Sequence, residues 1–208
     1  MKKYTVEKRK IPSTGRDIKI LIFRPTTAKK ALAQTPGVLW IHGGGYATGM
    51  AEMAYISRPL ALVKKYGAVV VCVNYRLSIE APYPAALEDC HSALCWMKEH
   101  AAELGINDSQ IMVGGESAGG GLTAALCMYA RDKSSVNIAY QMPLYPMLDD
   151  RDTESSQDNH AAYLEHQTQP CRVEAVSERT DGYPTLCRTR TADRLYGFAA
   201  DLHLRGRH

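Results

Sequence analysis

A chain of 208 residues with 45% apolar and 23% charged content has the make-up of one ordinary globular domain. Its formal net charge of +3 is too slight to argue for nucleic acid or an anionic membrane as a partner. The start, Met1-Lys2-Lys3-Tyr4-Thr5-Val6-Glu7, lacks the apolar core of a signal peptide, and the best apolar run, Ala68 to Val73, is too short to span a bilayer, so a cytoplasmic protein is expected.

Tyr4 to Ile11 and Ile18 to Arg24 alternate like strands on either side of the turn signal Ser13-Thr14-Gly15-Arg16, which predicts an opening hairpin. Gly37-Val38-Leu39-Trp40-Ile41 reads as a buried strand, and Met53 to Tyr66 has helical periodicity. Ala68 to Val73 is continuously apolar and rich in β-branched residues, the mark of a strand covered on both faces. Leu87, Cys90, Leu94, Met97 and Ala101 fall at helical spacing, predicting an amphipathic helix over 85–104 with Pro84 near its start. A short strand over Gln110 to Val113, a helix over Gly121 to Met128 and a last strand over Ile138 to Met142 complete the series. Strands alternating with helices after a hairpin predict an α/β fold, a mostly parallel twisted sheet covered by helices, with reactive groups at the carboxyl ends of the strands.

Two glycine-rich segments fall at such strand ends. Gly115-Glu116-Ser117-Ala118-Gly119 is a G-x-S-x-G elbow between a strand and a helix, which projects the serine hydroxyl as a nucleophile. Small residues at Gly115 and Gly119 are expected to allow the sharp turn. Alone, a glycine cluster before a helix is equally a tight turn. His42-Gly43-Gly44-Gly45-Tyr46, directly after an apolar strand, is the second segment, and its unshielded backbone N–H groups suit a developing oxyanion. Gly43, Gly44 and Gly45 are the candidate donors there, with Ala118 beyond the serine. Removing one donor of such a hole typically costs about 2.7–4 kcal/mol of transition-state stabilisation. Tyr46 either walls an acyl pocket or packs.

With Asn74-Tyr75-Arg76-Leu77, Ala81-Pro82-Tyr83-Pro84-Ala85-Ala86-Leu87-Glu88-Asp89 and Tyr145-Pro146-Met147-Leu148-Asp149-Asp150, these motifs resemble the hormone-sensitive-lipase-like branch of the α/β-hydrolases, a group of small carboxylesterases and acetyl esterases. The resemblance runs over about residues 4–161. It implies a serine carboxylic-ester hydrolase acting on small acyl esters, with Ser117 as nucleophile and no metal or cofactor. It also implies that His42 belongs to the oxyanion loop and is not the base, and that Glu116 is a family-typical elbow residue. Thioesterase or amidase chemistry would share the acyl intermediate. The six cysteines show no metal-ligand spacing and are expected to be reduced.

The mechanism further needs a histidine and a carboxylate, in the order Ser, Asp or Glu, His. In the family they follow the next strand, and no match to them occurs here. Residues after His160 hold Arg but no Lys and have neither helical nor strand period. A reading one nucleotide out of frame from about Ala162 accounts for this: Leu164 to Thr168 could encode Trp-Asn-Thr-Lys, and Ala199 to Arg207 a family-like strand. Accordingly, 1–161 is expected to be the N-terminal portion of an α/β-hydrolase domain, C-terminally truncated, and 162–208 an unrelated, disordered tail. Asp181, Asp193 and Asp201 precede His203 in the right order but in unpatterned sequence; His91 and His100 are expected at the surface, and His160 in a structural role. The alternative function is a catalytically inactive remnant that binds ligands or partner proteins. A nucleic-acid contact through the Arg-bearing tail is a third and weaker reading.

Overall fold

The computed structural model describes residues 3–26 and 35–148. The compact unit Met1–Met147 carries every element among the described residues. β1 (Tyr4–Ser13) and β2 (Arg16–Pro25) form the hairpin, turning at Gly15, whose φ of 81° suits glycine. β3 (Thr35–Ile41) follows, then a short 3₁₀ turn (Ala51–Tyr55), α1 (Arg58–Tyr66) and β4 (Val69–Val73). α2 (Ala85–Glu99), α3 (Ala101–Leu104), β5 (Ile106–Glu116), α4 (Ala118–Asp132) and β6 (Tyr140–Leu144) complete the order.

Expectation and structure differ mainly at element ends. The single helix expected over 53–66 is a 3₁₀ turn and a separate helix, because the chain turns at Ile56-Ser57 and Pro59 sits in the first turn of α1. The helix expected over 85–104 stops at Glu99, and His100 separates it from the single turn of α3, whose end is capped by Gly105 at φ 71°. β5 extends well beyond 110–113, and β6 lies two residues later than its apolar pattern suggests. α4 starts at Ala118, immediately behind the serine, rather than at Gly121.

The strands form one sheet in the order β1-β2-β4-β3-β5-β6. β1 with β2 and β2 with β4 are antiparallel, and the remaining three pairings are parallel. β4, Val69-Val70-Val71-Cys72-Val73, is buried at every residue, as its unbroken apolar run requires. On one face Leu21, Phe23, Val38, Trp40, Val70 and Cys72 pack with Val63 of α1 and with Ala51 and Ala54 of the 3₁₀ turn. The opposite face is closed by α2, whose Met97 lies so near Gly37 that a Cβ there would come within 2.5 Å of its methyl carbon. Among the described residues, β6 has no strand neighbour on its outer side. No described helix is long and apolar enough to cross a membrane.

A buried charge fixes the segment after β4. Asp89 of α2 is fully buried, and its carboxylate accepts from Arg76 Nε at 2.9 Å, Nη2 at 2.8 Å and the Arg76 backbone N–H at 2.8 Å, and from Ser13 Oγ at 2.6 Å. These four bonds tie β1, the β4 exit and α2 together, and they leave neither carboxylate oxygen without a donor. Removing the carboxylate would strand a guanidinium that is itself largely buried. Asp89→Ala is therefore expected to lower stability by about 3–5 kcal/mol, and a shift of the urea unfolding midpoint too small for that loss would show the pair to be dispensable.

Candidate active site

β3 and β5 are adjacent and parallel, with Trp40 opposite Gly114 and Ile41 opposite Gly115. The two glycine-rich segments therefore leave the sheet side by side at its carboxyl edge, where open α/β sheets bind ligands. Sheet register brings them together, although about 70 residues separate them in sequence.

Ser117 has φ 56° and ψ −118°, a conformation that residues other than glycine rarely adopt and that costs roughly 1–3 kcal/mol. The flanking glycines do not carry this strain; their φ angles are ordinary, and they serve close approach instead. A Cβ on Gly115 would lie 2.3 Å from the Gly119 carbonyl oxygen, and one on Gly119 would lie 2.2 Å from the Ile41 oxygen. At Gly115 and Gly119, where small residues are expected to permit the turn, the structure shows close backbone packing, while the left-handed backbone belongs to the serine. The Ser117 carbonyl accepts the Gly121 N–H at 3.0 Å, opening α4 directly behind the serine. Ala118 is fully buried at the helix N-terminus, where the first N–H groups have no intrahelical acceptor and the helix dipole is positive.

The His42–Tyr46 loop lies against this elbow. A Cβ on Gly43 would be 2.8 Å from the Glu116 oxygen and 3.4 Å from Ser117 Cβ. Gly44 and Gly45 have φ of 126° and 59°, and the Gly44 carbonyl is engaged by the N–H groups of Ala47 and Thr48 and by Thr48 Oγ1. Tyr46 is buried, and its hydroxyl donates to the Met147 carbonyl at 3.2 Å, so of its two expected roles the structure favours packing. Glu116 is half-buried beside Tyr145, a mostly exposed side chain whose phenol is pushed up by partial desolvation and by the neighbouring Glu116 carboxylate.

His42 supports the loop from below. Its ring is buried and stacks on Tyr75 with centroids 4.3 Å apart, and the Tyr75 hydroxyl donates to the His42 carbonyl at 3.0 Å. Nδ1 lies 2.8 Å from the Gly43 carbonyl oxygen, which can only accept, so the proton sits on Nδ1. Nε2 is buried without a partner among the described residues. Asn74 completes the support by accepting the Ala51 N–H. Asn74 and Tyr75 do not stand out in the sequence as site residues; their signal is the polar pair directly after a fully buried strand.

The other described histidines are half-buried, a correction to the surface position expected for His91 and His100. His91 Nε2 is 2.9 Å from Ser135 Oγ, and His100 Nδ1 is 2.9 Å from the Trp96 carbonyl oxygen while its ring stacks on the Trp96 indole. All three described histidines are thus engaged away from the Ser117 hydroxyl. His160, His203, His208, Asp181, Asp193 and Asp201 lie outside the described residues, as does the whole 162–208 segment. Cys72 and Cys90 are buried free thiols, Cys95 and Cys127 are partly buried ones, and burial pushes the Cys127 thiol up to about 12. No group of three or more metal-ligating side chains occurs among the described residues.

A strand-end serine with left-handed φ at the head of a helix, facing a glycine-rich loop from the neighbouring parallel strand, defines a hydrolase-type site. The sequence profile of the alpha/beta hydrolase fold matches residues 38–192, and the chain belongs to that family, in its hormone-sensitive-lipase-like branch. It is 38% identical over 144 residues to Carboxylesterase NlhH of Mycobacterium tuberculosis, covering 68% of this chain and 43% of that protein. It is 36% identical over 112 residues to hormone-sensitive lipase of Bos taurus, covering 53% of this chain and 14% of that one. The structure of a bacterial heroin esterase superposes with a TM-score of 0.76 at 32% identity, over 89% of this chain and 61% of that one. A hyperthermophilic esterase from Pyrobaculum calidifontis gives a TM-score of 0.75 at 30% identity, over 84% and 57%. The chain spans less than half the length of these two sequence relatives.

Burial pushes the imidazoles of His42 and His91 below their ordinary value of 6.5; Lys133 adds to the effect at His91, while the Gly43 hydrogen bond and Glu52 oppose it at His42. The unfolded chain therefore takes up protons that the folded chain refuses, so stability is complete above 6.5 and declines as pH falls through and below it. Urea midpoints measured across that range should decline toward acid, and His42→Gln should flatten the decline; an unchanged slope in that variant would show that His42 is not held neutral by the fold.

Proposed function

We propose that this chain carries the nucleophile and oxyanion site of a serine carboxylesterase acting on small acyl esters. Ser117 Oγ attacks the acyl carbon as its proton passes to solvent water. The carbonyl oxygen, as it becomes an oxyanion, accepts from the Ala118 N–H and from two of the three N–H groups of Gly43, Gly44 and Gly45. Collapse of the adduct breaks the bond to the alkoxy group, which takes a proton and leaves as the alcohol. The observation that carries this reading is the strained Ser117 backbone, held against the glycine loop by the Ile41-to-Gly115 register. Such strain persists only where the surroundings over-determine it, and it aims the hydroxyl outward while leaving the next N–H at a positive helix end. The activities named for the relatives, carboxylesterase and esterase, agree with it.

Proton transfer sets the rate. Losing a triad base typically costs about 10⁶ in kcat, while an intact oxyanion hole and binding leave roughly 10³–10⁴ over water. The described histidines are committed to Gly43, Ser135 and the Trp96 carbonyl, and this favours a second reading in which the described unit binds an ester without efficient turnover. Hydrolysis of p-nitrophenyl acetate by the full chain, compared with Ser117→Ala, separates the two. A rate that falls to background in the variant supports elbow chemistry, and equal rates leave only the binding reading.

A further inference from the structure

Three non-glycine residues near the site have left-handed φ: Tyr46 at 60°, Ser117 at 56° and Tyr145 at 36°. Hydrogen bonds through one segment, Leu144-Tyr145-Pro146-Met147, join them. The Ser117 N–H donates to the Leu144 carbonyl at 3.0 Å, and the Met147 N–H donates to the Ser117 carbonyl at 3.0 Å, so the strained Tyr145 lies inside a loop closed at both ends on the nucleophile's own backbone. The Met147 carbonyl in turn accepts the Tyr46 hydroxyl at 3.2 Å. Met147 thus touches the elbow with its N–H and the oxyanion loop with its C=O.

α4 is cut away to let this crossing form. A Cβ on Gly120 would meet the Leu144 oxygen at 2.9 Å and Pro146 Cα at 3.0 Å. A Cβ on Gly121 would meet both partners of the Tyr46 hydrogen bond, the Met147 oxygen at 2.2 Å and the tyrosyl oxygen at 2.5 Å. The oxyanion loop is anchored on its other side by the Ser78 N–H, which donates to the Tyr46 carbonyl at 2.9 Å. A buried ring alone would satisfy the packing at Tyr46; a hydroxyl aimed at the peptide that also holds Ser117 does more.

We propose that Tyr46 is a positioning residue, whose phenol, acting through Met147, holds the glycine loop and the Ser117 elbow in one fixed relation. Nucleophile and oxyanion donors reach the same acyl group from different strands, so their relative placement enters the barrier directly. A misplacement of about 1 Å can cost as much as 10²-fold in rate. The proposal rests on Ser117 being the nucleophile.

Tyr46→Phe keeps the ring and removes the donor. On p-nitrophenyl acetate it is expected to lower kcat about tenfold with KM unchanged. Gly121→Ala attacks the same bond, so the losses of the two variants should not multiply when combined. An unchanged kcat in Tyr46→Phe, a change confined to KM, or multiplying losses would overturn the proposal. Folding stability supplies a readout that needs no turnover. Ser117→Gly relieves the left-handed strain and should raise the urea midpoint, and this gain should fall to about half or less in a Tyr46→Phe background. Equal gains in both backgrounds would overturn the coupling. Absence of any Ser117-dependent turnover in the parent chain would defeat the esterase reading alone, and the stability cycle would then decide the role of Tyr46.

Discussion

The geometry of the site depends on one steric constraint: the exits of β3 and β5 and the first turn of α4 pass within contact distance of one another, and the backbone leaves no space for a Cβ at Gly115 or Gly119. Gly119 has no room for a Cβ because the Ile41 and His42 carbonyl oxygens occupy its space, and Gly115 has none because Gly119 does. With both flanks pinned, the turn must be absorbed within the three residues between them, and Ser117 takes the left-handed conformation. The strain at the serine is thus a consequence of packing around it, and it persists because relaxing it would push one backbone into another.

Around that crossing, polar groups hold the glycine loop in place. Tyr75 stacks on His42 and bonds its carbonyl, His42 bonds the Gly43 carbonyl, and Asn74 receives the Ala51 N–H. Asn74 and Tyr75 leave the end of β4, and that end is fixed by the buried Arg76–Asp89 pair. A chain of hydrogen bonds therefore runs from α2, through the β4 exit, to the peptides proposed to face the oxyanion. A preorganised hole needs such support, because donors that had to reorient during reaction would lose much of their advantage.

Much of this was legible in the residues. The all-apolar β4 run announced a strand buried on both faces, and the G-x-S-x-G and HGGG-type segments, each at a strand end, announced the elbow and its facing loop. Boundaries were less legible: helix periodicity continued through Ile56-Ser57 and His100, where turns and a break intervene, since spacing of apolar residues does not record where backbone hydrogen bonds stop. The two histidines of α2 and its end, His91 and His100, read as surface residues because their neighbours Ser135 and Trp96 contribute burial that helix position alone does not show.

By itself the sequence determined the fold class, the alternation of strands and helices, the serine elbow and the glycine loop, because these rest on local pattern: periods of two and 3.6, and glycines where side chains are excluded. Only the tertiary structure decided which atoms meet. It assigned the left-handed φ to Ser117 rather than to its glycines, made His42 a support with its proton on Nδ1, and joined Tyr46 to the elbow through Met147, 101 residues away. Such contacts follow from strand order and register, which bring distant segments to one edge of the sheet and leave no trace in either segment's own sequence.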